Sequence, residues 1–407
     1  MKYTIGELAE IIDGDRGSNY PKQDEFFDTG FCLFLNTGNV TKDGFSFDSV
    51  QFITEEKDGL LKKGRLQRGD IVYTTRGTVG NAAFYSSSVP YEHVRINSGM
   101  VILRCRDEIV DTRFLYQVLK SEYYRPFFKK YCTGSAQPQL PIKNLSTIAL
   151  EIPDKESQIH IADILSAYDS LIENNQKQIK LLEEAAQRLY KEWFIDLRFP
   201  GYETTPVHDG VPEGWEITEI GKVCETIGGG TPSTAKPDYY ENGTIRWVTP
   251  TDLTKKRSII LLDTEKRITN EGLNNSSTKL LPPETILMTS RASIGYFALC
   301  EHEVCTNQGF ISCVPFSDDL RYYLLFNLMN RVEEIKGKAT GSTFREIAKR
   351  TFREMAFVIP TETLLIHFQK MIAPIVSQMR IIEKENETLI QARDRLLSKL
   401  MSGEIEV

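Results

Sequence analysis

The feature that most constrains this chain is that it repeats itself. Ile5-Gly6 answers Ile220-Gly221, and Ile12-x-Gly14 answers Ile227-x-Gly229, both displaced by 215 positions. The same displacement lays Thr74-Thr75-Arg76-Gly77-Thr78-Val79-Gly80 over Thr289-Ser290-Arg291-Ala292-Ser293-Ile294-Gly295. After small deletions Asn97-Ser98-Gly99 matches Asn307-Gln308-Gly309. Thr133-Gly134-Ser135 then matches Thr340-Gly341-Ser342 at an offset of 207, which holds through Ile159-His160 over Ile366-His367. Order and spacing kept over such distances mean duplication, so the fold must be one that is built twice.

Each half has a mixed segment rich in Gly, Thr and aromatics, followed by a long helical one. Short strands with turn punctuation are expected at Asp70-Ile71-Val72-Tyr73, Gly99-Met100-Val101-Ile102-Leu103 and Thr285-Ile286-Leu287-Met288. The helical parts carry a seven-residue period: Leu165, Ile172, Ile179 and Ala186, with Tyr168, Asn175, Leu182 and Leu189 between them. In the second half the seam runs Phe368, Ile372, Ile375, Met379, Ile382, Asn386, Leu389, Arg393, Leu396, Leu400. Two apolar stripes of this length are most simply satisfied by each other, which predicts an intramolecular coiled coil. The alternative, that the stripes hold helices of other proteins, stays open. Asn175 and Asn386 would fix its register at a cost in stability if they lie in the seam, and would be ordinary core or surface residues if they do not. The expected fold class is α+β, with two globular domains at 1–153 and 214–360, helical regions at 154–198 and 361–407, and a turn-rich linker at 199–213.

Charge narrows the function. The chain of 407 residues has 49 basic and 56 acidic side chains, a net charge of -7, and residues 1–153 alone hold 19 of each sign. It carries no global basic field, so any nucleic-acid surface must be local. No apolar run is long enough for a membrane span, and Met1-Lys2-Tyr3-Thr4-Ile5 lacks the apolar core of an export signal, so a soluble cytoplasmic protein is expected. Seven scattered cysteines without a Cys-x-x-Cys pair argue against a disulfide framework.

Catalytic signatures are absent. There is no Gly-x-Ser-x-Gly elbow, no His-Glu-x-x-His, and no Asn/Asp-Pro-Pro-Tyr/Phe tetrapeptide of the sort amino-methyltransferases use, so no catalytic or cofactor-binding residue is assigned. Cys300, His302, Cys305 and Cys313 could in principle hold zinc, but the matching stretch around Tyr91-Glu92-His93 has no cysteine, which favours buried thiols and no metal site. Gly228-Gly229-Gly230 is read as a turn before Pro232.

What remains is loop chemistry suited to DNA. Thr133-Gly134-Ser135-Ala136-Gln137-Pro138-Gln139 in one half stands opposite Thr340-Gly341-Ser342-Thr343-Phe344-Arg345 in the other. Gln pairs with adenine, Arg with guanine, and turn amides with phosphate. Candidate contacts are Arg16, Asn19, Lys22, Arg76, Ser135, Gln137, Gln139, Thr231, Ser233, Arg246, Thr249, Arg291, Thr343 and Arg345, with Lys255, Lys256 and Arg257 as further cations. A plain Gly-Ser turn without a ligand explains the same loops, and Arg76 and Arg291, being equivalent, also fit a bracing role. Candidate coil or partner contacts are Leu165, Ile172, Asn175, Ile179, Leu182, Leu189, Trp193, Phe194, Ile375, Met379, Ile382, Asn386, Leu389 and Leu396, with Tyr190 beside them.

Pro212-Glu213-Gly214-Trp215, Gly229-Gly230-Thr231-Pro232-Ser233, Trp247-Val248-Thr249-Pro250-Thr251-Asp252-Leu253 and Leu189-Tyr190-Lys191-Glu192-Trp193-Phe194 together resemble the specificity subunit of type I restriction-modification systems. The resemblance covers essentially the whole chain. It implies two target-recognition domains on an antiparallel coiled coil, which read a bipartite, asymmetric double-stranded DNA target. It also implies two adenine-methylating subunits and two restriction/translocase subunits as partners, with S-adenosylmethionine, ATP and magnesium belonging to them. The coil would then act as a ruler between half-sites about one DNA turn, ~34 Å, apart. Two rivals are a coiled-coil scaffold that reads no DNA and a self-contained methyltransferase or nuclease.

Overall fold

The computed structural model describes residues 1–407 apart from 122, 135, 136, 256, 257, 342, 343, 403, 406 and 407, and for 402 the backbone alone. Ser135 and Thr343, and the cations Lys256 and Arg257, therefore lie outside the described residues. The chain divides into two compact units, Met1–Ile172 with Thr388–Val407, and Glu173–Glu387.

The first unit is organised by a four-stranded antiparallel sheet in the order Ala9–Asp13, Met100–Cys105, Ile71–Thr74, Ala82–Phe84. Its central strands are mostly apolar, with Met100 to Leu103 and Ile71 to Thr74 all buried, because both faces are covered there. Alternation sorts Val101 and Leu103 to one side, with Phe114, Val118 and Leu165, and sends Met100 and Ile102 to the other, with Leu33, Leu35 and Ile96. The second layer is a three-stranded sheet, Phe52–Ile53, Cys32–Leu35, Val94–Ile96, whose last two strands run parallel. Lys2–Thr4 pairs with Ala149–Glu151 and closes the domain ahead of the long helix.

The second unit repeats this plan. Its main sheet runs Cys224–Gly228, Phe310–Pro315, Ile286–Thr289, Phe297–Cys300, with Ile260–Leu261 added in parallel at the edge. Ile286 and Met288 face one layer and Leu287 the other. Lys266–Ile268, Ile245–Val248 and Cys305–Thr306 form the second sheet, again with a parallel last pair, and Glu216–Glu219 closes on Ala356–Ile359. The run at Gly228-Gly229-Gly230 is not the turn expected. It is extended chain pressed so closely on Thr306 and Asn307 that a Cβ on Gly229 would lie 2.1 Å from the Asn307 carbonyl oxygen. The four residues weighed as zinc ligands do not converge: the thiols of Cys300 and Cys305 face the carbonyls of Thr285 and Arg246, Cys313 faces Cys224, and His302 is exposed.

The two long helices span Lys155–Tyr190 and Glu362–Ser402. In the first unit, Ile161 and Leu165 near the start of one share a core with Leu397 and Leu400 near the end of the other. In the second unit the opposite ends meet: Ile179, Ala186 and Tyr190 pack with Phe368, Ile372, Val376 and Met379. This is antiparallel packing. Ile172, Met379 and Ile382 are buried, and Leu182 and Leu389 partly so. Three seam positions move by one residue. Val376, Leu397 and Tyr190 take the buried places, while Ile375, Leu396 and Leu189 are half-buried, because a straight helix turns every 3.6 residues and drifts from a strict heptad. The first helix ends in a π turn, Lys191–Ile195, that drives Trp193 and Phe194 into the core against Phe368. Tyr190, Trp193 and Phe194 are thus packing residues of the second unit rather than a partner surface.

Polar groups decorate this packing. Asp169 on the first helix accepts hydrogen bonds from Gln117, at 2.6 Å, Lys120, at 2.8 Å, and Arg393, at 2.7 Å. Burial pushes its carboxyl up, but the Lys120 and Arg393 cations more than offset this and hold it below the usual range. In the second unit Arg380 pairs with Glu284 and Glu301, and Lys384 with Glu301. Asn175 and Asn386 are both buried there, leaving the Asn175 Nδ2 and the Asn386 Oδ1 without hydrogen-bond partners among the described residues.

Two outcomes follow. Asp169→Asn strands the buried Lys120 and leaves Arg393 with Asp394 alone, and urea unfolding should show a loss of about 3–5 kcal/mol near neutral pH. Because the folded-state pKa is lowered, that contribution is complete above the ordinary carboxylate range and disappears as pH falls through the folded value, so wild type and variant should converge in acid. Asn175→Leu with Asn386→Leu removes two unmet polar groups, each costing about 1–3 kcal/mol, and should raise the melting temperature measured by calorimetry.

Candidate nucleic-acid interface

In the first domain, the strands Ala9–Asp13, Ile71–Thr74 and Val94–Ile96 all end where loops gather. Gly14 lies against the Asn97 carbonyl so tightly that a Cβ would sit 2.2 Å from its oxygen. The Asn97 side chain accepts from the Gly99 amide, at 2.9 Å, and fixes the turn between strands. The Gly99 carbonyl then accepts from both Thr75 and Arg76 amides, at 2.9 and 3.1 Å. The Thr75 carbonyl accepts from the Leu140 amide, at 2.9 Å, and Thr133 and Gln139 exchange backbone bonds that close the last loop. Asp15 holds the first loop down by accepting from the Gly17 and Lys62 amides; burial raises its carboxyl, and these bonds outweigh burial and lower it.

The second domain builds the same frame with other side chains. Gly229 abuts Asn307, whose side chain accepts from the Gly309 amide at 2.9 Å. The Gly309 carbonyl takes the Ser290 amide, the Ser290 carbonyl takes Ile347, and Thr340 and Glu346 close the loop. Thr74 and Thr289 play one role: each hydroxyl caps the loop that follows, receiving the amide of Asn81 or Tyr296 at 2.9 Å. A further turn belongs to both faces. Asn36 and Asn39 cap each other in one domain, Thr249 and Asp252 in the other, and both lie beside the Asn97 or Asn307 amide, which donates to Leu35 or Val248.

The predicted residues divide on this frame. Arg16, Arg76, Gln137, Gln139, Thr231 and Arg291 are exposed on the gathered loops. Arg16 reaches Asp13 and the Ser98 carbonyl, and the Thr231 hydroxyl donates to Gln308. Arg76 makes no ion pair among the described residues, whereas its counterpart Arg291 faces Glu346, at 3.7 Å, where the first domain has Gln139.

Others are committed elsewhere. Arg345 turns back to the Lys336 and Ala339 carbonyls, at 2.7 and 3.2 Å, and braces its own loop. Arg246 pairs with Asp263 and Lys255 with Glu265; Thr249 is a helix cap; Asn19 donates to the Leu60 carbonyl. Lys22 and Ser233 are exposed, Lys22 with its amide bonded to Glu25. Sequence reading used Asn97 and Asn307 only as markers of the repeat, although an Asn-x-Gly kept in both halves already signals a turn held by its own side chain.

The family model described as type I restriction modification DNA specificity domain matches residues 1–184 and again 212–392. The chain belongs to this family. Such a specificity chain is a recognition component and not a catalytic one, and its two matched stretches correspond to the duplicated halves. The HindI type I restriction enzyme specificity subunit of Haemophilus influenzae is 23% identical, over 98% of this chain and 100% of its own length. The MjaIX specificity subunit of Methanocaldococcus jannaschii is 25% identical, over 84% of this chain and 78% of its own. Among solved structures, a type I restriction-modification S subunit from M. genitalium shares the fold with a TM-score of 0.52 at 16% identity, covering 98% of this chain and 95% of that one. No helix of the described residues is long and apolar enough to cross a membrane.

The loop frame has a sharp test. Gly341 has φ 117°, and a Cβ there would lie 2.5 Å from the Phe344 carbonyl oxygen. Gly341→Ala should cost about 1–3 kcal/mol locally. Hydrogen exchange should accelerate at the Thr340, Glu346 and Ile347 amides while the central strands keep their protection.

Proposed function

We propose that this chain is the sequence-reading subunit of a type I restriction-modification complex, each globular domain reading one half of a bipartite, asymmetric target on double-stranded DNA. The observation that carries this reading is the loop frame built twice with different tips. Shared backbone bonds hold the loops in one geometry, while Gln137 against Phe344 and Gln139 against Glu346 give them different chemistry, as two unlike half-sites require. Arg76, exposed on this face and in no ion pair among the described residues, supplies local positive charge to phosphates within an acidic chain, whereas Arg16 and Arg291 lie beside Asp13 and Glu346.

In this reading two methylating subunits and two restriction/translocase subunits assemble on the chain in the prokaryotic cytoplasm. S-adenosylmethionine, ATP and magnesium belong to those partners. Methylation of an adenine requires the base to leave the stack, so this chain positions the DNA and the partner receives the base.

The test is sequencing of N6-methyladenine in genomic DNA from the source cell and from a strain lacking the gene. Loss of one bipartite, asymmetric motif on deletion is the expected result and gives both half-sites. An unchanged methylome, in a cell where the methylating subunits are expressed, would overturn the reading. The assembled complex should also lose DNA affinity steeply as salt rises, with a log-log slope near -0.9 per phosphate contacted.

A further inference from the structure

We infer that Phe344 reads the second half-site by apolar contact with a thymine methyl group, at the loop position that Gln137 occupies in the first domain. The inference rests on the DNA-reading role proposed above and names the chemistry by which the second domain exercises it.

The two side chains hold the same place. In each loop a glycine of positive φ, Gly134 or Gly341, is packed under the carbonyl three residues on, that of Gln137 or Phe344. The bridges Thr133↔Gln139 and Thr340↔Glu346 close both loops at the same offset. The phenyl ring of Phe344 is 60% exposed, and no described aromatic ring stacks on it. An isolated exposed apolar residue is ordinary on a protein surface. Its surroundings make this one informative: Arg345 is turned back onto the Lys336 and Ala339 carbonyls, and Arg291 faces Glu346. Of the described polar side chains beside it, Arg345 is engaged in holding the loop and Arg291 lies against Glu346, and the exposed ring stands next to them.

A phenyl ring makes no hydrogen bond to a base edge. The apolar feature that the major groove presents to it is the 5-methyl of thymine, whereas the exposed amide of Gln137 matches the donor and acceptor of adenine. One loop design therefore yields a hydrogen-bonding reader in one domain and a methyl reader in the other.

The experiment uses the complex with its methylating subunits and the motif obtained from the methylome. Each thymine of the second half-site is replaced in turn by deoxyuridine, which removes only the methyl group. For the wild-type complex, one replacement should lower affinity about fourfold, the effect of one methyl group withdrawn from apolar contact. Phe344→Ala should lower affinity for the thymine target by a similar factor and become indifferent to uracil at that position, with Phe344→Leu in between; its melting temperature should be that of wild type. Gln137→Ala should leave the uracil effect intact. Unchanged affinity in Phe344→Ala, or uracil and alanine effects that multiply independently, would overturn the inference. A wild-type complex that binds the motif no better than scrambled DNA would instead remove the DNA-reading role itself.

Discussion

Two helices of 36 and 41 residues with apolar seams cannot remain alone in water, and the covering of those seams organises everything else. In each unit a segment of both helices lies on the helical side of the main sheet and completes its core: Leu165 and Leu397 in the first, Ile179, Ala186 and Met379 in the second. The hydrophobic effect supplies the driving force but no direction. Direction comes from polar groups that tolerate few arrangements, Asp169 between Lys120 and Arg393, and Arg380 between Glu284 and Glu301. A slipped register would leave these charges buried without partners, a larger penalty than a misplaced methyl group.

The same division of labour recurs at the loops. Glycines at positions 14 and 229 let strand ends touch the Asn97 and Asn307 carbonyls, and the Gly99 and Gly309 carbonyls then tie neighbouring loops together. Because the frame is made of backbone bonds, side chains at the tips are free to differ without disturbing it. A recognition surface can change its target in this way while its support stays constant.

Much of this was legible in the sequence, and what was not has a consistent cause. The duplication, the short strands at Ile71–Thr74, Met100–Cys105 and Ile286–Thr289, and the pairing of two long amphipathic helices follow from local patterns that survive without knowledge of distant partners, whereas their antiparallel direction was implied only by the family resemblance. The exact seam did not follow, since Val376 and Leu397 replace Ile375 and Leu396 once the helical period is 3.6 rather than 3.5. Nor did the fate of individual cations. Arg246 and Arg345 resemble Arg76 in the sequence, yet Asp263 engages one and a helix-end carbonyl the other.

The amino-acid sequence by itself determined that the molecule is built twice, that two amphipathic helices must be covered, and that two loops with unlike tips stand at matched positions. Those properties reside in order and periodicity along the chain. Only the tertiary structure decided which polar side chains face outward and which are bound to their own loops. That choice is made by carboxylates and carbonyls from as near as Ala339, beneath Arg345, to as far as Ser98, beside Arg16, and the folded loops set where those partners stand.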